Sequence, residues 1–248
     1  MNDEFAAGFH AVLSALEHNP QWVDRLWIDK ARNDARIAMV IADASRVGVR
    51  VQRVPKVKLD SLAGDGVRHQ GVLARLRMVR LRDETDLFSI LDSLQQPPLL
   101  LVLDGIQDPH NLGACLRSAA AAGVDAVIVP RNRSAPVNAT VRKAASGATE
   151  YVPIVEVTNV ARVLKKLKQR GIWIYGASGN AESDLYQCNL TDAVAIVVGS
   201  EQKGLRHGIE QVCDELMRIP MADAVDSLNV SVATGIFLFE VQRQRHHR

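Results

Sequence analysis

From residue 99 to the end of the chain, short apolar runs alternate with stretches of helical periodicity, and no other feature of the sequence constrains the fold as much. The apolar runs fall at 99–103, 125–129, 152–155, 172–177, 193–198 and 216–219, and the helical stretches at 112–122, 138–146, 159–170, 205–214 and 229–244. A run that is apolar at consecutive positions needs cover on both faces, and strand–helix–strand alternation supplies it in a mainly parallel sheet. Such α/β sheets bind ligands beyond the carboxyl ends of their strands. Chemistry is therefore expected in the loops after residues 103, 199 and 219.

The front of the chain follows another plan. Phe9, Val12, Leu13 and Leu16 share one helical face, so 9–18 reads as a helix stopped at Asn19-Pro20. A strand at 23–28, a helix at 32–46 and strands at 47–54 and 71–79, with a turn at Gly64-Asp65-Gly66, complete a small α/β unit. The expected division is a first domain over 1–79, a linker over 80–97 ending in Gln95-Gln96-Pro97-Pro98, and a second domain over 98–248. Proteolysis is expected inside that linker.

A net charge of +2 hides an uneven distribution. Residues 46–82 carry ten basic groups against Asp60 and Asp65, a net +8, which leaves −6 for the rest. Arginines outnumber lysines 22 to 8, and the guanidinium fork suits bidentate phosphate contacts. Such a concentrated field points to a polyanion partner, with a solvated sheet face of alternating arginines as the plainer reading. The longest apolar runs, 98–103 and 193–198, fall far short of the ~18 residues of a membrane span. Cys115, Cys188 and Cys213 show no metal or redox spacing and read as packing residues, and no secretory segment follows the acidic start, so a cytoplasmic protein is expected.

The usual nucleotide fingerprints are missing. Gly64-Asp65-Gly66 lacks a third glycine, and the glycine pair of Gly199-Ser200-Glu201-Gln202-Lys203-Gly204 is followed by Leu205-Arg206 in place of Lys-Ser/Thr. What remains is three polar loops. In the first, Asp108-Pro109-His110-Asn111-Leu112-Gly113, Asn111 reads as a helix cap, and Arg117 stands alone among small residues further along. In the second, Gly199 lets a ligand approach the main chain while Glu201 suits a helix start. In the third, Ile219-Pro220-Met221 precedes Ser227-Leu228-Asn229-Val230-Ser231, where Ser227 reads as a cap in a stretch more polar than capping requires.

In this order the three loops resemble the signature motifs of the SpoU (TrmH-like) RNA ribose 2′-O-methyltransferases, of the knotted SPOUT superfamily. Gly8-Phe9-His10-Ala11-Val12, Val67-Arg68-His69-Gln70-Gly71 and 134–140 extend the resemblance to the branch that modifies a guanosine of bacterial 23S rRNA. The resemblance implies an α/β fold with a trefoil-knotted C-terminal domain and a smaller ribosomal-protein-like RNA-binding front domain. It implies S-adenosylmethionine as methyl donor and no metal. It also implies a homodimer through the C-terminal domain, to which Phe237, Leu238 and Val241 are expected to contribute apolar surface. By similarity Arg117, Asn111, Glu201, Ser227 and Asn229 form the catalytic group, and main chain near Gly199, Ile219 and Leu228 holds the cofactor. A tRNA ribose methyltransferase of the same family and a catalytically silent RNA-binding assembly protein remain alternatives.

Overall fold

The computed structural model describes residues 4–18, 20–64, 66–76, 81–222 and 227–246. Its contacts divide the chain into two units, Met1–Met78 and Val79–Arg248.

The first unit runs β1 (Glu4–Ala7), α1 (Phe9–His18), β2 (Val23–Asp29), α2 (Ala35–Arg46), β3 (Val51–Val54), α3 (Lys56–Ala63) and β4 (Val72–Leu76). The sheet order is β1-β4-β2-β3, with β4 antiparallel to both neighbours and β3 parallel to β2. Helix α2 starts where Asp34 accepts from the amides of Arg36 and Ile37, and its Ile37, Val40 and Ala44 stripe packs with Leu16, Leu26 and Ile28. One expected boundary shifts and one helix was not expected. The strand read from 47 begins at Val51, because Val49 N still donates to Ala44 O around Gly48 at φ +74°. Helix α3 buries only Leu59, too narrow a stripe to register as periodicity. The end of the strand expected at 71–79 lies outside the described residues.

The second unit contains α4 (Glu84–Ser93), β5 (Leu99–Asp104), α5 (Pro109–Ala121), β6 (Ala126–Pro130), α6 (Ala139–Ala144), β7 (Ile154–Val157) and α7 (Val160–Gln169). It continues through β8 (Trp173–Ala177), β9 (Ser183–Asp184), β10 (Val194–Gly199), α8 (His207–Glu210), β11 (Glu215–Arg218) and α9 (Val230–His246). All pairings in its sheet are parallel, in the order β7-β6-β5-β10-β8-β11-β9. Continuous apolar strands serve two cores. Leu99, Leu101 and Leu103 of β5 face one core with Leu116 and Leu238, while Leu100 and Val102 face the other with Leu164 and Leu167. Each such leucine contributes about 1.5–3 kcal/mol.

Three expectations are corrected here. From Arg82 onward the stretch read as a linker is docked: Arg82 pairs with the β7 backbone, Asp83 and Asp86 form a capping box for α4, and Leu87 is buried in the second core. Cleavage is accordingly no longer expected within α4. The helix expected at 205–214 is only the single turn of α8, because Asp214 N donates to Ile174 O and draws the chain into β11. Phe237, Leu238 and Val241 are already buried in their own chain, whereas Val232 and Phe239 are the half-exposed apolar side chains of α9. No helix among the described residues is long and apolar enough to cross a membrane.

Candidate active site

The first loop leaves β5 and enters α5, whose first turn is capped by Asp108, accepting from His110 N at 2.9 Å, with Pro109 opening the helix. Asn111 therefore lies inside the helix and is not its cap, which frees its carboxamide for long-range contacts. Asn111 Nδ2 donates to Glu201 Oε1, and Asn111 Oδ1 accepts from Asn229 Nδ2 at 3.1 Å. Asn229 in turn caps α9, its Oδ1 accepting from Ser231 N at 2.9 Å and Ser231 Oγ at 2.6 Å. The cap expected of Ser227 thus belongs to Asn229. A relay of four polar side chains joins all three motif loops, which lie far apart in sequence.

Beside the relay is a cleft of about 510 Å³ at the carboxyl ends of β8, β10 and β11. Gly199, Glu201, Ile219, Ser227 and Leu228 line it. Ser200 and Gly204 exchange backbone hydrogen bonds at 3.1 and 2.8 Å, folding the second loop back on itself. A Cβ on Gly199 would sit 2.1 Å from the Gly204 carbonyl carbon, so only glycine fits. Residues 223–226 of the third loop lie outside the described residues.

Arg117 is placed apart from this group. It is exposed on α5, has no hydrogen bond or ion pair among the described residues, and does not line the cleft. The small residues expected to pack tightly around it instead let α5 approach its neighbours. A Cβ on Gly113 would lie 2.4 Å from Ala144 Cβ of α6, and Cys115 Sγ donates to Thr234 Oγ1 of α9 at 3.6 Å.

One ion pair near the site escaped the sequence reading. Asp104, with a side chain 1% exposed, receives Arg206 Nε at 2.8 Å and also Nη2, tying the end of β5 to the end of the second loop. The Asp104 hydrogen bond raises the Arg206 pKa. An acid closing an otherwise apolar run was the available signal. Burial pushes the thiols of Cys115 and Cys188 up to about 11 and Cys213 to about 12, which fits packing residues rather than nucleophiles. Among the described residues no cluster of three or more His, Cys, Asp or Glu could hold a metal ion.

In the first unit, several of the basic residues are engaged internally. Arg75 pairs with Asp24 and lies 6.0 Å over the Trp27 ring, and Arg46 pairs with Asp43. Arg53 Nη1 donates to Arg32 O at 2.9 Å. Arg50, Lys56, Lys58 and Arg68 are exposed without such partners among the described residues, and Lys56 and Arg68 flank a cavity of about 510 Å³. His69 anchors the loop beside it, with Nε2 at 2.8 Å from Asp60 Oδ1 and Nδ1 accepting from Gly71 N. Arg77 and Arg80 lie outside the described residues.

Comparison with known proteins supplies a setting for this geometry. Residues 98–239 match the SpoU rRNA Methylase family, and residues 5–81 match the family described as RNA 2′-O ribose methyltransferase substrate binding. The chain is 49% identical over 245 residues to the 23S rRNA (guanosine-2′-O-)-methyltransferase RlmB of Vibrio parahaemolyticus, covering 99% of this chain and 98% of the relative. It is 51% identical over 242 residues to the protein of the same name from Yersinia pestis, covering 98% of each. The AdoMet complex of the SpoU methyltransferase AviRb from Streptomyces viridochromogenes shares the fold, with a TM-score of 0.68 at 22% identity over 99% of this chain and 92% of that one. An AdoMet-bound rRNA methyltransferase from Sinorhizobium meliloti has a TM-score of 0.62 at 25% identity, covering 97% and 87%.

Proposed function

The chain belongs to the SpoU rRNA methylase family, and from that premise we propose that it transfers a methyl group from S-adenosylmethionine to the ribose 2′-oxygen of a guanosine in 23S rRNA. The observation that carries the reading is the Glu201–Asn111–Asn229 relay beside the cleft, in a chain about half identical, end to end, to 23S rRNA guanosine methyltransferases.

The cleft fits the cofactor in size and in kind. Its volume of about 510 Å³ lies within the range of small-molecule sites. Gly199 admits no side chain, so the ligand meets backbone there, and Ile219 and Leu228 add apolar walls and further main-chain groups. When bound, S-adenosylmethionine supplies a methyl group already activated on a sulfonium. The chain's task is to position the acceptor, and positioning alone lowers such barriers substantially.

The ribose hydroxyl is too weak an acid to be ionised at neutral pH, so it must be oriented; as its oxygen takes the methyl group the carbon–sulfur bond breaks, S-adenosylhomocysteine leaves and the hydroxyl proton passes to water. Asn111 and Asn229 are assigned to that work, Glu201 fixes Asn111, and the Ser227 hydroxyl assists from the cleft wall. Arg117, whose guanidinium presents donors and no acceptor, is assigned to the phosphate beside the acceptor ribose. Its place outside the cleft lining supports a role that RNA or a second copy completes. A homodimer fits that role: Val232 and Phe239, 51% and 52% exposed on α9, offer apolar surface next to α5.

The trefoil knot is proposed on the family to which the chain belongs, with β10 lying between β5 and β8 in the sheet that would carry it. In the proposed division of labour 1–79 binds RNA and 98–248 transfers the methyl group, in the cytoplasm. Incubating the full chain with S-adenosylmethionine and 23S rRNA from a strain lacking the modification should produce one 2′-O-methylguanosine, read by mass spectrometry of nucleosides. Cofactor binding by calorimetry without any rRNA methylation overturns the substrate assignment, and absence of cofactor binding overturns the reaction.

A further inference from the structure

A second cavity opens at the carboxyl edge of the same sheet, at the ends of β6 and β7, across β5 from the cleft in the strand order. It has a volume of about 450 Å³ and is lined by Arg133 and Arg206 with Asn132, Thr158 and Asn159. No acidic side chain lines it among the described residues.

Arg133 occupies an unusual place. Its φ of +76° is a region that non-glycine residues enter at a cost, and its surroundings hold it there. Ser134 Oγ and Ala135 N donate to Ile106 O at 3.3 and 2.8 Å, fastening this turn to the loop that leads to Asn111. The Arg133 guanidinium is exposed and has no hydrogen bond or ion pair among the described residues.

Arg206 forms the opposite wall. Its Nε and Nη2 are spent on buried Asp104, yet its side chain stays 43% exposed. Asn159 Oδ1 accepts from Arg162 N, and its carboxamide N–H groups have no partner among the described residues. The cavity therefore presents donors and one uncompensated positive charge, in a volume larger than a single phosphate needs. Its walls continue the loops that carry Asn111 and Glu201.

We propose that this cavity is a phosphate subsite for the RNA strand that carries the acceptor nucleotide, an inference that rests on the methyltransferase reading above. Guanidinium forks match phosphate oxygens in pairs, and the missing carboxylates remove the competitor that would otherwise occupy them. A strand whose ribose reaches the relay runs along the same sheet edge, and a flanking phosphate held between Arg133 and Arg206 would fix its register. Arg206 is a poor test, because its loss would strand the buried charge of Asp104 and endanger the fold.

The test uses the full chain, an rRNA fragment containing the acceptor, and two exposed positions, as Arg133→Gln and Asn132→Asp. Either substitution should raise KM for the fragment about tenfold, the effect of losing one charge-assisted contact, with little change in kcat. Arg133→Gln should also lower the slope of log affinity against log salt by roughly 0.7 to 0.9. Cofactor affinity by calorimetry should match the parental chain. Parental KM and salt slope in both variants, with the parental chain methylating normally, overturn the subsite alone. A parental chain that neither binds nor methylates rRNA overturns the subsite and the function together.

Discussion

The two units handle polar groups in opposite ways. In the second, β5 and β10 are buried along their whole length, and the polar side chains at the strand ends are drawn into fixed geometry: Asp104 to Arg206, Asn111 to Glu201 and Asn229. In the first, the charge lies on exposed surface, part cancelled by neighbouring acids as in Arg75–Asp24, part left open as in Arg50, Lys56 and Arg68. A site over-determined by packing should respond sharply to single substitutions. A site made of separate surface charges should respond gradually and additively, because each charge acts through screened attraction to phosphate.

The largest effect expected of this difference is at Arg117. Its exposed side chain supports no packing, so Arg117→Ala should leave the fold and cofactor affinity intact while methyl transfer falls by about 10²–10³, the cost of removing one positioned electrostatic group. Arg117→Lys keeps the charge without the planar fork and should fall between. A parental rate in Arg117→Ala would remove this residue from the reaction. Gly199→Ala comes next. Its Cβ has nowhere to go against Gly204, so the second loop must open at a cost of about 1–3 kcal/mol, and cofactor affinity measured by calorimetry should drop with it.

The frame was legible in the sequence where burial was one-sided or complete. Six of the strands in the second unit were visible as short, mainly apolar runs, and only two-residue β9 escaped. Helix α3, with Leu59 as its one buried residue, left almost no pattern. At the site, Asn111, Glu201 and Asn229 stood out as polar groups in loops, but their pairing spans 90 and 118 residues, a separation that local spacing cannot encode. Local reasoning also placed the caps on Asn111 and Ser227, because Asn and Ser beside a helical run are good caps wherever they occur. The chain instead uses Asp108 and Asn229. Asp104 stands just beyond an apolar run and its partner Arg206 lies 102 residues away, again a separation that local spacing cannot encode.

A weaker break is expected at the relay itself. Glu201→Gln keeps the size of the side chain but turns one oxygen into a donor facing Asn111 Nδ2, so the contact survives only if the amide rotates. Methyl transfer should fall about tenfold to a hundredfold, and Asn111→Ala combined with it should add little, since both act through one contact. Full additivity in the double variant would show that the relay is not a unit. In the first unit, Arg50→Ala, Lys56→Ala and Arg68→Ala should each weaken rRNA binding severalfold, and each should reduce the salt slope by roughly 0.7 to 0.9. Arg75→Ala should do less to the slope, because its charge is already offset by Asp24. A single substitution that abolished RNA binding would contradict the distributed picture.

The smallest effect concerns pH and one helix. Glu240, 6% exposed, accepts from Arg243 Nε and Nη2 and from Gln244 Nε2, each at 2.8 Å. The Arg243 hydrogen bonds, aided by Gln244 and by the charge of Arg243, hold its carboxyl below the ordinary value of 4.5. A depressed pKa in the folded state means stability that is fully present above the unfolded value and is lost as pH falls through the folded one. Acidification from about pH 5 downward should therefore loosen α9. Because each unit has its own core, calorimetric scans of the full chain should show this loss in the transition of the second unit and leave that of the first unmoved. In Glu240→Gln, Tm at pH 7 should fall by a few degrees and the acid-dependent part of that transition should shrink. An unchanged acid slope in Glu240→Gln would assign the acid sensitivity of the second unit to other carboxylates, with Glu84, whose pKa is lowered by its hydrogen bonds to Lys166 and Arg162 between α4 and α7, as the next to replace.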